Sequence, residues 1–126
     1  MKKVQELFVI LEDRPRALGE LLNILNKNNI KIESIGVFVD SAKLLVNQVQ
    51  KSRKILTDHN FAVEVRDVIK VRVENKPREL AYIAERIGHV GINISHAYGT
   101  TDQKNNIMTL ILDVADIDTA LSLFAK

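Results

Sequence analysis

The chain has 126 residues, 46% hydrophobic and 27% charged, which suits one average domain or two very small ones and excludes a disordered chain. Eighteen basic against sixteen acidic residues leave +2, too even a balance to point to nucleic acid or an anionic membrane. The absence of cysteine excludes disulfides and thiolate chemistry, and no apolar run nears the ~18 residues of a membrane helix.

Met1-Lys2-Lys3 leads straight into a strand pattern with no signal-peptide core, so the expected location is cytoplasmic. A strand is expected over Val4–Leu11, and its Leu7–Leu11 run is apolar throughout, as a central strand covered on both faces should be. It stops at Asp13-Arg14-Pro15, where Asp13 can cap a helix and Pro15 can enter its first turn. That helix should run to Lys27, with Leu18, Leu21, Leu22 and Leu25 as its apolar stripe. Strands follow at Ile30–Val39 and Leu44–Val49, then a helix at Lys51–His59 and a strand from Phe61. The order β-α-β-β-α-β is that of a ferredoxin-like module, two helices on one face of an antiparallel sheet.

The pattern then repeats. At a separation of 62 positions Glu12, Pro15, Arg16, Leu18, Ile30 and Ile32 meet Glu74, Pro77, Arg78, Leu80, Ile92 and Ile94. The helical stripe recurs as Leu80, Ile83, Ala84 and Ile87. Further on the separation reads as 65, which puts about three extra residues in the turn between Gly99 and Asn106. The odd-position apolar run from Phe61 to Val73 carries the last strand of one copy into the first of the next. A helix at Pro77–His89, strands at Ile92–Thr100 and Ile107–Val114, and a helix at Asp116–Phe124 complete the pattern. The fold class is α+β: two tandem ferredoxin-like modules, 1–67 and 68–126, the second lacking its last strand. The missing strand leaves one edge of Lys70–Glu74 open, and such an edge recruits a partner strand, so a homodimer is expected unless the first copy covers the edge within the same chain.

Side chains able to carry chemistry are few. His59, His89 and His96 stand far apart with no metal-ligand spacing, and no serine sits in a nucleophile motif. Gly88 and Gly91 bracket a helix-to-strand turn rather than a phosphate loop. The reading is therefore no catalytic residue, no metal, no cofactor and no enzyme. Arg16 and Arg78 oppose the helix dipole at equivalent first turns. They fit either recognition of an anion or ion pairs to Glu12, Asp13 or Glu74.

An acidic residue or Asn, then x-Pro, a Leu-rich helix and an Ile-x-Ile strand start together resemble the ACT domain. The resemblance covers two tandem copies: Asp13-Arg14-Pro15-Arg16-Ala17-Leu18 with Ile30-Lys31-Ile32, and Asn75-Lys76-Pro77-Arg78-Glu79-Leu80 with Ile92-Asn93-Ile94. It implies a regulatory module that binds a small ligand, most often an amino acid, between paired copies. The ligand-binding residues it implies are Asn75, Lys76, Arg78 and Asn93 in the second copy, and Asp13, Arg16 and Lys31 in the first. Asn75 and Asn93 match the ligand-holding positions residue for residue. Asp13 and Lys31 carry opposite charges, which can pair and close the first site. Where the family usually has Gly after the Pro, both copies carry Arg.

Three functions of different class follow. The first is a regulatory protein that binds an amino acid and acts through its oligomer or a partner enzyme. The second, favoured by Arg16 and Arg78 in place of Gly, is a subunit without a ligand, acting through sheet-edge contacts. The third is an RNA-binding ferredoxin-like fold. It is disfavoured because Ile107–Val114 lacks the aromatics that stack bases and Phe8 stands alone on the other central strand.

Overall fold

The computed structural model describes residues 1–125; residue 126, the end of the second expected module, lies outside them. In chain order the elements are β1 Lys2–Ile10, α1 Ala17–Lys27, β2 Ile32–Val37, β3 Ser41–Val46, α2 Val49–Asp58 and β4 Val63–Glu74. α3 Pro77–His89, β5 Ile94–Asp102, β6 Ile107–Val114 and α4 Ile117–Leu123 follow. They form two compact units, Gln5–Arg66 and Met1–Val4 with the described residues from Asp67 onward, so β1 and β4 are each divided between the units.

In the N-terminal unit, Gln5–Arg66, the strand order is β2-β3-β1-β4, the ferredoxin-like arrangement. Leu7 pairs with Leu44 and Val9 with Ala42. Their alternation sends this set to one sheet face, where Leu21 and Leu25 of α1 and Leu56 of α2 close a core in which all three are 0% exposed. Leu18 and Leu22 flank it, partly buried, so the four-leucine stripe is the packed face. β3 is buried along its whole length. On its other face Lys43 lies 4.8 Å from the Phe8 ring centroid and 5.5 Å from that of Phe38.

In the C-terminal unit the order is β1-β4-β6-β5. Ile69 pairs with Leu112 and Val71 with Leu110, and Ile83, Ile87 and Ala120 pack above them. The stripe is narrower than expected: Ala84 is exposed. The edge of β4 expected to lie open has a neighbour, the opening residues of β1. Lys3, from the same stretch, reaches Asp118 of α4 at 3.6 Å. The motive that the sequence offered for a dimer through this edge is thereby removed.

Most boundaries shift by one or two residues, β2 to Ile32–Val37 and β5 to Ile94–Asp102 among them, and the larger departures have local reasons. α1 begins at Ala17 rather than Pro15, because Arg16 turns left-handed at φ 74° and the helix starts after it. β3 starts at Ser41 and ends at Val46, since Val49 already opens α2. The second hairpin is longer than the sequence suggested. Leu44 faces Ile35 while Leu112 faces Ala97, so the separation past the hairpin is 68 positions and the extension is six residues, three per strand.

Candidate functional site

Both units turn a corner where the first strand hands over to the first helix, and both corners are charged. In the N-terminal unit Arg14 Nε donates to Glu12 at 2.6 Å, and Nη2 donates to Glu20 at 2.9 Å in the first turn of α1. Nη1 also donates to the Pro15 carbonyl at 3.1 Å. The hydrogen bond from Arg14 holds the Glu20 carboxyl below its usual range, and Glu20 and Glu12 raise the Arg14 guanidinium in turn. In the C-terminal unit Lys76 Nζ sits 2.9 Å from Glu74, lowering that carboxyl and raising its own ammonium.

The arginines singled out by the repeat are not the ones that pair there. Arg14 takes Glu12 and Lys76 takes Glu74. Arg16 instead holds the left-handed position before α1, and Arg78 lies 4.0 Å from Glu79. Neither Asp13 nor Asn75 caps its helix, because the N-caps are Arg16 and Lys76, with no side-chain cap bond at either. Asn75 N–H donates to the Asn106 carbonyl.

The remaining candidates stand far from these corners. Asn93 accepts at its carbonyl from Ala115 N–H, beyond the end of β6, whereas Asn75 sits beyond its start. β6 spans eight residues, so about 27 Å of strand separates the two. In the N-terminal unit Leu11 N–H donates to the Asp40 carbonyl, which puts Asp13 near the start of β3, and Asn47 N–H donates to Lys31 beyond its end. The ion pair expected between Asp13 and Lys31 does not form within the unit, since the six residues of β3 hold their ends about 20 Å apart.

An open cleft of about 610 Å³ borders the N-terminal corner. Leu11, Glu12 and Arg14 form one wall, Ala17, Glu20, Asn23 and Ile24 of α1 a second, and His59–Ala62, between α2 and β4, a third. His59, the residue after α2, holds the Ile55 carbonyl through Nδ1 at 2.8 Å. Sequence reasoning missed Glu20, Asn23, His59 and Asn60, which lie outside the repeated motif. The one signal available was Glu20 standing opposite Tyr82 at the 62-residue separation.

Elsewhere, Arg66 lies 3.8 Å from the Phe8 centroid, so this ring already carries two cations rather than a free stacking face. His96 Nδ1 lies 3.3 Å from Asp113. Among the described residues no three His, Asp or Glu side chains gather to hold a metal, and no helix is long and apolar enough to cross a membrane.

Residues 2–123 match the family model described as an ACT domain pair. The fold matches the crystal structure of a protein from Bacteroides thetaiotaomicron at TM-score 0.85 and 25% identity, over 96% of this chain and 85% of that one. It also matches the regulatory subunits of aspartate kinase from Thermus flavus and Thermus thermophilus. The first has TM-score 0.70 and 14% identity, over 97% of this chain and 90% of that one. The second has TM-score 0.64 and 16% identity, over 98% and 95%. No curated protein matches the sequence.

Proposed function

The chain belongs to the ACT domain pair family, and from that premise we propose that it is a regulatory protein that binds an amino acid and passes the bound state to a partner. The observation that carries this reading is the duplicated corner. An acid-x-base pair, Glu12 with Arg14 and Glu74 with Lys76, is held at the same place before a helix in both units. Paired charges of both signs beside a helix start suit a zwitterionic ligand. The fold neighbours from the two Thermus species are regulatory subunits of a kinase, which supports a partner enzyme rather than catalysis by this chain. We assign it no catalytic residue and no cofactor, and read it as cytoplasmic, with modules at 1–67 and 68–126.

Within one unit Asn75 and Asn93, and likewise Asp13 and Lys31, stand at opposite ends of a strand, so in this reading a second copy of the chain, brought against the corner, completes the ligand's contacts. A homodimer is part of the proposal on that ground. The dimer would use β2 or β5, because β4 has β1 beside it.

One observation favours the reading without a ligand. Ile32, Ile35, Val37, Phe38 and Val39 are exposed along β2 and its turn, Val39 at 74%, and β2 is an edge strand. A thermal-shift screen of the standard amino acids separates the two readings. A ligand at 100 times its dissociation constant adds about 2.7 kcal/mol of stability, and silence across the set favours the sheet-edge reading.

A further inference from the structure

We infer that the N-terminal unit holds an amino acid entirely within itself, in the cleft between the β1–α1 corner and the turn from α2 to β4. The ligand's ammonium sits on Glu12, its carboxylate on Arg14, and an uncharged side chain lies against Leu11, Ala17, Ile24 and Phe61. This rests on the amino-acid reading above but places the site inside one module rather than between paired ones.

The size suits the ligand, since about 610 Å³ falls within the range of small-molecule sites. The charges choose its class. Glu12 and Glu20 flank Arg14 along the rim, so negative and positive groups stand side by side. A simple carboxylate would meet two glutamates there, and a simple amine would find the guanidinium between its acceptors. A zwitterion complements both signs. Arg14 engages Glu12 through one carboxylate oxygen, Oε2, which leaves Oε1 for an ammonium. A guanidinium has five N–H donors, and the bonds to Glu12, Pro15 and Glu20 leave an Nη2 hydrogen directed to no protein group. Leu11, Ala17, Ile24 and Phe61 give the cleft its apolar lining, beside Asn23, His59 and Asn60, and a charged side chain laid on those four would be desolvated.

The C-terminal unit shows what closing the same corner looks like. Its equivalent of Glu20 is Tyr82, whose ring meets Phe124 edge-on at 6.3 Å. Its equivalent of Ile24 is Arg86, which donates to the Leu123 carbonyl at 3.3 Å. The acid-x-base pair survives there, but the two side chains that line the cleft in the N-terminal unit are turned instead onto the end of α4.

The test is a titration of ¹⁵N-labelled full-length chain with L-leucine, 4-methylpentanoate (leucine without its ammonium) and isopentylamine (leucine without its carboxylate). Leucine should shift the amides of Leu11, Glu12, Asn60 and Phe61 saturably, with each half-ligand at least about tenfold weaker. Glu12→Gln should weaken leucine about tenfold, and Glu20→Tyr, which imports the residue of the other unit, should abolish the shifts while the rest of the spectrum holds. Leucine shifts confined to residues 67–125, or a half-ligand binding as well as leucine, would overturn the cleft while leaving the amino-acid reading intact. The same holds if leucine is silent where another amino acid raises the melting temperature. If no amino acid raises it, both fall.

Discussion

The two units are built on one plan, and they differ most where a ligand would enter. In the N-terminal unit the first turn of the first helix carries Glu20, bound to Arg14 and lining a cleft. At the repeat-equivalent position, 62 residues on, the C-terminal unit carries Tyr82, packed on Phe124. The cores differ far less: Leu25 and Ile87 occupy equivalent places and are both fully buried. Duplication leaves the fold doubly specified while freeing one corner to change, because packing constrains the buried stripe and leaves the rim to function.

If the cores are equivalent, they should fail alike. Leu25→Ala and Ile87→Ala should each cost about 2–5 kcal/mol, since both empty a fully buried site. The check is the urea midpoint of each variant. A loss in one unit several times that in the other would break the equivalence.

The hairpins offer the next contrast. Gly99 takes the place of Val37, and a Cβ built on it would meet the Thr109 carbonyl oxygen at 2.7 Å and Leu110 Cδ2 at 2.8 Å. Val37 carries its side chain beside Ala42 without such a neighbour, since Ala42 stands where the second hairpin has Leu110. Gly99→Val should therefore cost about 1–3 kcal/mol, and adding Leu110→Ala should recover part of it in a double-mutant cycle.

The start of the second helix differs by a single cap. Asp116 accepts from Thr119 N–H at 3.2 Å, and these bonds from Thr119 hold its carboxyl below the usual range. Gln48, its counterpart before α2, makes no side-chain cap bond. Asp116→Ala should lose about 1 kcal/mol, and Gln48→Asp should gain a fraction of that. The Asp116 contribution is present above the unfolded carboxyl value of about 3.9 and is lost as the pH falls through the lower folded value. The two wild-type caps should consequently diverge at neutral pH and converge once the pH has fallen below the folded carboxyl value.

Much of this plan was legible beforehand. The stripe of Leu21 and Leu25, the in-phase Pro15 and Pro77, and the Asp116 cap follow from spacing alone, because local hydrogen bonding and helical period set them. The hairpin extension was read as three residues instead of six. The sequence shows where a hairpin grows, whereas only the pairing of Leu44 with Ile35 and of Leu112 with Ala97 counts it. For the edge of β4 the sequence left two outcomes, a second chain or the first copy, because the neighbour it has, the start of β1, lies more than sixty residues away in sequence. The corner was found, but its partners were mistaken. Arg16 stood out by repetition, while Arg14 does the pairing with Glu12 and Glu20, and Arg16 takes the left-handed position before α1.

That turn gives the smallest expected effect, and one whose sign differs between the units. Arg16 and Arg78 are equivalent in sequence and opposite in backbone. Arg16 sits at φ 74°, a region that glycine enters without cost, whereas Arg78 is the second residue of α3, after Pro77 at its start. A non-glycine residue in the left-handed region costs about 1–2 kcal/mol. Glycine recovers that but brings a more flexible unfolded chain, so Arg16→Gly should raise stability by a few tenths to about 1 kcal/mol. Arg78→Gly has no strain to relieve and replaces a good helix former, so it should lower stability by up to about 1 kcal/mol. Urea midpoints of the two single variants decide it. Opposite shifts would show that the family's glycine position has one backbone need in the N-terminal unit and another in the C-terminal one. Equal losses would mean that Arg16 is held left-handed by contacts of its own side chain, and that strain at this corner is not what distinguishes the two units.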